Sequence, residues 1–72
     1  MYYYKSPIGM FKIERCPEGF MLSLNGDELD VCDSAQAAAD NVYVHSTGLL
    51  EWDMLAGKIR DVPENIRAWR IG

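Results

Sequence analysis

The dipeptide Asn25-Gly26 lies between two short runs of alternating apolar residues, and it constrains the fold more than any other feature. Both residues tolerate a positive φ, which the type I′ turn of a two-residue β-hairpin requires. The turn sets a register that brings the apolar side chains of both strands to one face of the hairpin. The predicted pairs are Leu24 with Asp27, Leu22 with Leu29, and Phe20 with Val31.

A further strand is predicted upstream, over residues 9–15, because Phe11 and Ile13 alternate with more polar positions. Cys16-Pro17-Glu18-Gly19 suits the turn that joins it to the hairpin, and this loop length pairs Ile13 with Leu22. With strands over 20–24 and 28–32, the chain then forms a three-stranded antiparallel meander with one apolar face. The other face is expected to meet water and carries Met10, Lys12, Glu14, Met21, Ser23, Glu28 and Asp30.

An α-helix is predicted over residues 35–45, where it would cover the apolar face of the meander. Ser34 suits the N-cap, and Gly48 suits the end of this segment because glycine readily adopts a left-handed conformation. A narrow face of small side chains recurs at helical spacing: Ala35, Ala38, Ala39 and Val42. The tail, residues 49–72, is expected to form short helical turns that Trp52 and Trp69 anchor to a single α+β domain spanning residues 1–72.

Composition narrows the classes of protein to which the chain can belong. The 72 residues carry a net charge of −4, and no apolar run approaches the length of a membrane span. The N-terminal residues lack the basic and apolar segments of a signal peptide, so the cytoplasm is the expected compartment. Cys16 and Cys32 would lie two strand spacings apart, about 9–10 Å, which is too far for a disulfide. Free thiols are therefore expected.

Three segments resemble a group of short bacterial proteins described only as hypothetical: Tyr4–Gly9, Ala37–Val42, and Thr47-Gly48 followed by Glu51-Trp52-Asp53. The resemblance implies a bacterial source and a stand-alone protein, and it implies no activity and no functional residues. Three strands followed by a helix also resemble the arrangement in AP2-type and integrase-arm DNA-binding domains. That second likeness is one of topology, which alone is a weak guide to function.

Two aromatic segments are the candidate interaction surface. Exposed tyrosines beside Lys5 would suit stacking with nucleic-acid bases, whereas packed tyrosines would only cover the sheet. An exposed Trp52 between two acidic residues would suit a protein-binding hot spot, whereas a buried Trp52 would anchor the core. The candidate residues are Tyr2, Tyr3, Tyr4, Glu51, Trp52 and Asp53.

No constellation of catalytic or metal-binding residues stands out. His45 with Asp40 or Asp53, or with a cysteine, lacks the arrangement of nucleophile, base and orienting group that covalent catalysis needs. The acidic residues of the third predicted strand lack the spacing of a calcium loop, and protection of an exposed strand edge explains them better. We therefore expect no catalytic residues, no metal and no cofactor.

The sequence leaves the biological function open chiefly between two classes; a third class, a small enzyme, would need a bound metal or cofactor. The first is a non-enzymatic accessory or protein-interaction domain of the bacterial cytoplasm. The alternative is a small nucleic-acid-binding module that uses the Tyr2–Lys5 and Lys12/Arg15 side, or the basic tail with Arg60, Arg67 and Arg70. The net negative charge disfavours the alternative, because phosphate neutralisation supplies most nucleic-acid affinity.

Overall fold

An antiparallel sheet of five strands forms one layer of the molecule, and a helix and an irregular tail form the other. The computed structural model describes all residues, 1–72. The strands are β1 (Tyr2–Ser6), β2 (Gly9–Cys16), β3 (Gly19–Leu24), β4 (Asp27–Cys32) and β5 (Arg70–Ile71), in the spatial order β4-β3-β2-β1-β5. The helices are α1 (Ala35–Tyr43), α2 (Leu50–Asp53) and a 3₁₀ turn (Ile66–Ala68). The α+β class is confirmed, but the sheet has five strands rather than three.

The two strands that the sequence analysis missed lie side by side at one edge of the sheet. β1 pairs with β2 through Tyr4 opposite Phe11, and β5 pairs with β1 through Arg70 opposite Tyr3. Three consecutive tyrosines hide the apolar–polar alternation of β1, although tyrosine favours strands. β5 has only two residues, so it carries no periodic pattern at all.

The Asn25-Gly26 turn forms as predicted, but the register of the hairpin changes two residues beyond it. Asn25 and Gly26 have φ of 52° and 90°, and Leu24 lies opposite Asp27. A β-bulge then makes Leu29 an additional residue of β4. The predicted pairs Leu22–Leu29 and Phe20–Val31 are therefore wrong, because Leu22 lies opposite Asp30 and Phe20 opposite Cys32.

This bulge exchanges the faces of the last three residues of β4, Asp30 to Cys32. The predicted place of Asp30 on the water-facing side with Ser23 is therefore wrong, because Asp30 lies opposite Leu22. Cys32 enters the core with 8% of its surface exposed, and Val31 turns to the other face with 38% exposed. A bulge inserts one residue without changing the composition of the strand, so the apolar pattern could not reveal it. The predicted register between β2 and β3, with Ile13 opposite Leu22, is confirmed.

Asn25 also links the β1–β2 turn to the β3–β4 turn through hydrogen bonds at one end of the sheet. Its Oδ1 accepts a hydrogen bond from the Met10 N–H at 2.9 Å, and the Asn25 N–H donates to the Met10 carbonyl at 2.9 Å. Gly9 has φ of 143°, and a Cβ there would collide with the Asn25 side chain. The β1–β2 turn and the β3–β4 turn therefore depend on each other.

The helix covers the apolar face through its small side chains. Ala38, Ala39 and Val42 are fully buried, and the Ser34 hydroxyl accepts from the Ala37 N–H at 3.0 Å, so the predicted N-cap is confirmed. The helix ends at Tyr43 rather than at residue 45. None of the helices has the length and apolar character of a membrane-spanning segment.

The tail completes the core on the same side of the sheet. Trp52 is fully buried, its ring lies 4.9 Å from the Phe11 ring, and its indole N–H donates to the Val42 carbonyl at 3.0 Å. Trp69 is also buried, so both tryptophans anchor the tail as predicted. The two cysteines are free, and β3 separates the strands that carry them.

The central strand β3 offers a test of the two faces. Leu22→Ala should lower the free energy of unfolding by about 2–5 kcal/mol, because Leu22 is fully buried beneath the helix. Ser23 lies on the opposite face as predicted, but it is 4% exposed rather than open to water, and its hydroxyl has no hydrogen-bond partner. Ser23→Ala should therefore cost less than about 1 kcal/mol or be stabilising. Urea unfolding of the wild type and both variants measures the two effects. A large loss for Ser23→Ala with little loss for Leu22→Ala would show that the faces are assigned backwards.

Candidate interaction surface

The face of the sheet opposite α1 has no covering layer, and we call it the open face. The strand pairings place these residues on it: Tyr3 and Lys5 of β1, Met10, Lys12 and Glu14 of β2, Met21 and Ser23 of β3, Glu28 and Val31 of β4, and Arg70 of β5. Met10 and Val31 are 41% and 38% exposed. Large apolar side chains thus meet solvent between charged ones.

The charges of the open face are separated across the sheet. One row of paired residues runs from Arg70 through Tyr3, Lys12 and Ser23 to Glu28. The cationic end also holds Lys5, while the β4 edge is acidic. The only ion pair of the structure joins Lys12 Nζ to Glu14 Oε2 at 3.9 Å, and exposed pairs of this kind contribute little. The open face is therefore basic at one end, in a chain that is acidic as a whole.

A groove of about 450 Å³ opens at the basic end, where β5 stops pairing with β1. It is open to solvent, and its volume falls within the usual range for small-ligand sites. Six residues line it: Tyr3, Tyr4, Lys5, Met10, Ala68 and Arg70. The groove thus combines aromatic and thioether walls with two cationic side chains.

The structure divides the tyrosine run between the two faces of the sheet. Tyr2 and Tyr4 pack against the core, and the Tyr4 ring lies parallel to the Phe11 ring with the centroids 6.0 Å apart. Tyr3 is on the open face, where its hydroxyl donates to the Met1 sulfur at 3.2 Å. Only Tyr3 thus offers a ring to the open face, although Tyr4 also lines the groove.

The second candidate segment divides in a similar way. Trp52 is fully buried, so its indole contributes nothing to an exposed surface. Asp53 accepts hydrogen bonds from the Thr47 N–H and hydroxyl and from the Gly48 N–H, at 2.9–3.0 Å, and thereby shapes the loop before α2. Glu51 is exposed and lines a separate pocket of about 180 Å³. The six predicted residues are therefore not brought together at one site.

His45 and its neighbours are engaged in structural contacts. The His45 ring stacks on Trp52 with centroids 4.5 Å apart, and its Nδ1 lies 2.9 Å from the Trp52 carbonyl oxygen. Its φ of 56° places it in the left-handed conformation just after α1. Asp40 is bonded to Gln36, and Asp53 to the Thr47 loop. No group of three or more His, Cys, Asp or Glu residues could hold a metal ion.

Sequence reasoning missed the feature that unites the open face, which is the pairing of the C-terminal segment with β1. Lys12 and Arg70 stood as two separate basic segments in the sequence, and β5 places them on either side of Tyr3. The exposure of Val31 depends on the bulge, and the sequence did not predict it. The strand alternation did assign two large apolar side chains, Met10 and Met21, to this face.

Comparison of the chain with protein-family models, with curated proteins and with solved structures found no match.

Titration of Tyr4 tests the packing beside the groove. Burial raises the pKa of the Tyr4 phenol above its ordinary value of 10.0, and the nearby Asp61 carboxylate adds to the rise. The folded chain then keeps a proton that the unfolded chain releases, so the free energy of unfolding should fall as the pH rises above about 10. Tyr4→Phe should show a shallower fall, measured by urea unfolding at a series of alkaline pH values. Coincident profiles for the two proteins would mean that burial does not disfavour ionisation of this phenol.

Proposed function

We propose that the chain is a non-enzymatic protein-interaction domain that binds a partner protein through the open face. The observation that carries this proposal is the exposure of Met10 and Val31 on a sheet face that no other element covers. Burial of these side chains would remove apolar surface from water, which contributes a favourable free energy of about 25 cal/mol per Å² buried. Binding of a partner supplies that cover.

The composition of the open face supports a protein partner. Tyrosine, methionine and arginine are enriched in the buried centres of protein interfaces, and charged residues form the rim. Here Tyr3, Met10 and Met21 lie between charged residues of both signs. The bulge in β4 places Val31 beside Met21 on the open face and so removes Val31 from the core face. Such a distribution fits recognition of a mixed apolar and polar surface.

Charge complementarity describes the partner further. The basic end of the open face, with Lys5, Lys12 and Arg70, favours acidic residues on the partner. Glu28 at the opposite edge disfavours them there. The partner surface is therefore apolar at its centre and acidic on the side that meets β1 and β5. The bacterial cytoplasm remains our proposed setting, since two free thiols suit a reducing compartment.

Single-stranded nucleic acid is a second candidate, carried by the row of Arg70, Tyr3 and Lys12. An aromatic ring between cations can stack a base while the cations contact phosphates. Against this candidate, exposed Met10 and Val31 have no role in phosphate binding, and Glu28 ends the row with a repulsive charge. Titration of labelled single-stranded DNA and RNA at low salt decides the matter. Micromolar affinity that falls steeply with salt would favour the nucleic-acid module.

Photo-crosslinking in the source cells tests the protein-interaction proposal. A photoreactive amino acid replaces Val31 on the open face or, as the matched control, Val44, which is 60% exposed just after α1. The Val31 position should give a discrete adduct with one protein, because the partner lies against this face. The Val44 position should not give that adduct.

The adducts are resolved by electrophoresis and identified by mass spectrometry. Binding of the purified partner is then measured with Met21→Glu, which places a charge at the centre of the open face. This variant should weaken binding at least about tenfold, since interface centres exclude unpaired charge. The proposal is contradicted by an absence of protein adducts at Val31, by identical adducts at both positions, or by unchanged binding of Met21→Glu.

A further inference from the structure

β1 is paired on both sides over only part of its length. β2 pairs with all five residues of β1, from Tyr2 to Ser6, whereas β5 pairs only with Tyr2 and Tyr3. The remaining three residues therefore have a neighbouring strand on one side alone. Such an unpaired edge is a template for the addition of another extended segment.

The direction of the backbone groups at this edge follows from the strand alternation. The Gly72 N–H donates to the Met1 carbonyl at 3.0 Å, which shows that Met1 directs its carbonyl towards β5. Because the backbone direction alternates with a period of two, Tyr3 and Lys5 face the same side. Tyr3 is paired with Arg70, so Lys5 is the next residue whose N–H and carbonyl face this edge.

The C-terminal segment does not pair with Lys5. Continuation of the β1–β5 register would place Ala68 opposite Lys5, but Ala68 belongs to the 3₁₀ turn. The Ala68 N–H donates to the Asn65 carbonyl at 2.9 Å, so it is unavailable to β1. The space between Lys5 and Ala68 is the groove described above. A peptide in the groove would thus find one strand residue ready to pair.

We propose that this groove binds the C-terminal residue of an extended segment of the partner protein, with its carboxylate on Arg70 and its backbone paired to Lys5. The segment would lie in line with β5 and run in the same direction, antiparallel to β1. The inference rests on the proposed function, since it names the part of the partner that docks at the basic end of the open face.

The geometry favours a chain end over a continuous strand. β5 already occupies the edge of β1 beside Tyr2 and Tyr3. A strand added beside Lys5 must therefore end before it reaches Arg70. Arg70 lines the groove at that boundary, where its guanidinium can hold a carboxylate through two parallel hydrogen bonds. Tyr3 and Met10 form apolar walls for the side chain of the terminal residue. Capture of a C-terminal carboxylate beside a strand edge is an established mode of peptide recognition.

A random peptide library displayed with free C-termini tests the proposal on the full chain. The library is selected against the wild-type protein, and enriched peptides are synthesised with a C-terminal carboxylate or a C-terminal amide. Isothermal titration calorimetry then gives Kd for both forms. The amide should bind at least about tenfold more weakly, because a charged hydrogen-bonded pair at Arg70 is lost.

Two arginine variants separate the groove from general charge attraction. Arg70→Gln should weaken binding of the carboxylate peptide about as much as amidation does, and amidation should have no further effect in that variant. Arg60→Gln is the matched control, because Arg60 is exposed and lies outside the groove, and it should bind as the wild type does. Amide proton spectra confirm that both variants are folded.

Failure to enrich any peptide, equal binding of carboxylate and amide, or equal losses for both arginine variants would each overturn the proposal. If the open face binds a protein in another way, the crosslinked adducts at Val31 would still form despite these results. Absence of Val31 adducts, in contrast, would overturn the proposed function itself. The titrations are repeated in phosphate buffer. If phosphate weakens binding of the carboxylate peptide and of the amide peptide equally, the effect is a nonspecific anion effect, which would also count against a C-terminal site.

Discussion

The packing of Trp52 against Phe11 is the contact on which the rest of the structure depends. Phe11 lies in the central part of the sheet, and Trp52 comes from the tail, so their edge-to-face contact at 4.9 Å joins the two layers. The Trp52 indole N–H bonded to the Val42 carbonyl extends the same contact to α1. A domain of 72 residues builds a small core, and the helix and the tail gather around it on one face of the sheet.

The open face is the direct consequence of that arrangement. α1, α2 and the tail lie on one side of the sheet, and Met10 and Val31 on the other side stay exposed. β5 returns the chain to the edge of β1 and brings Arg70 beside Tyr3, which gives this face its basic end. The same short strand leaves Lys5 without a strand partner on the β5 side and creates the groove. Core packing and the proposed binding surface are thus two results of one constraint.

Local chemistry in the sequence predicted the parts of the fold that depend on neighbouring residues. The Asn25-Gly26 turn, the Ser34 cap and the pairing of β2 with β3 follow from turn preferences, capping and alternation, and the structure confirms them. β5 and the bulge in β4 depend on tertiary contacts, so residues near them in sequence carry no signal for them. The candidate site was harder to predict for the same reason, because Tyr3 and Arg70 are neighbours in the sheet but lie near opposite ends of the sequence.

Solvent accessibility of side-chain methyl groups tests most directly whether the open face is uncovered in the free protein. A soluble paramagnetic agent broadens NMR signals of exposed methyl groups, and the comparison is made at low and high protein concentration. We predict strong broadening for Met10 and Val31 at both concentrations and protection of Leu22 and Val42 beneath the helix. Protection of the Met10 and Val31 methyl groups would contradict it, since another segment or a second copy would then already cover the open face.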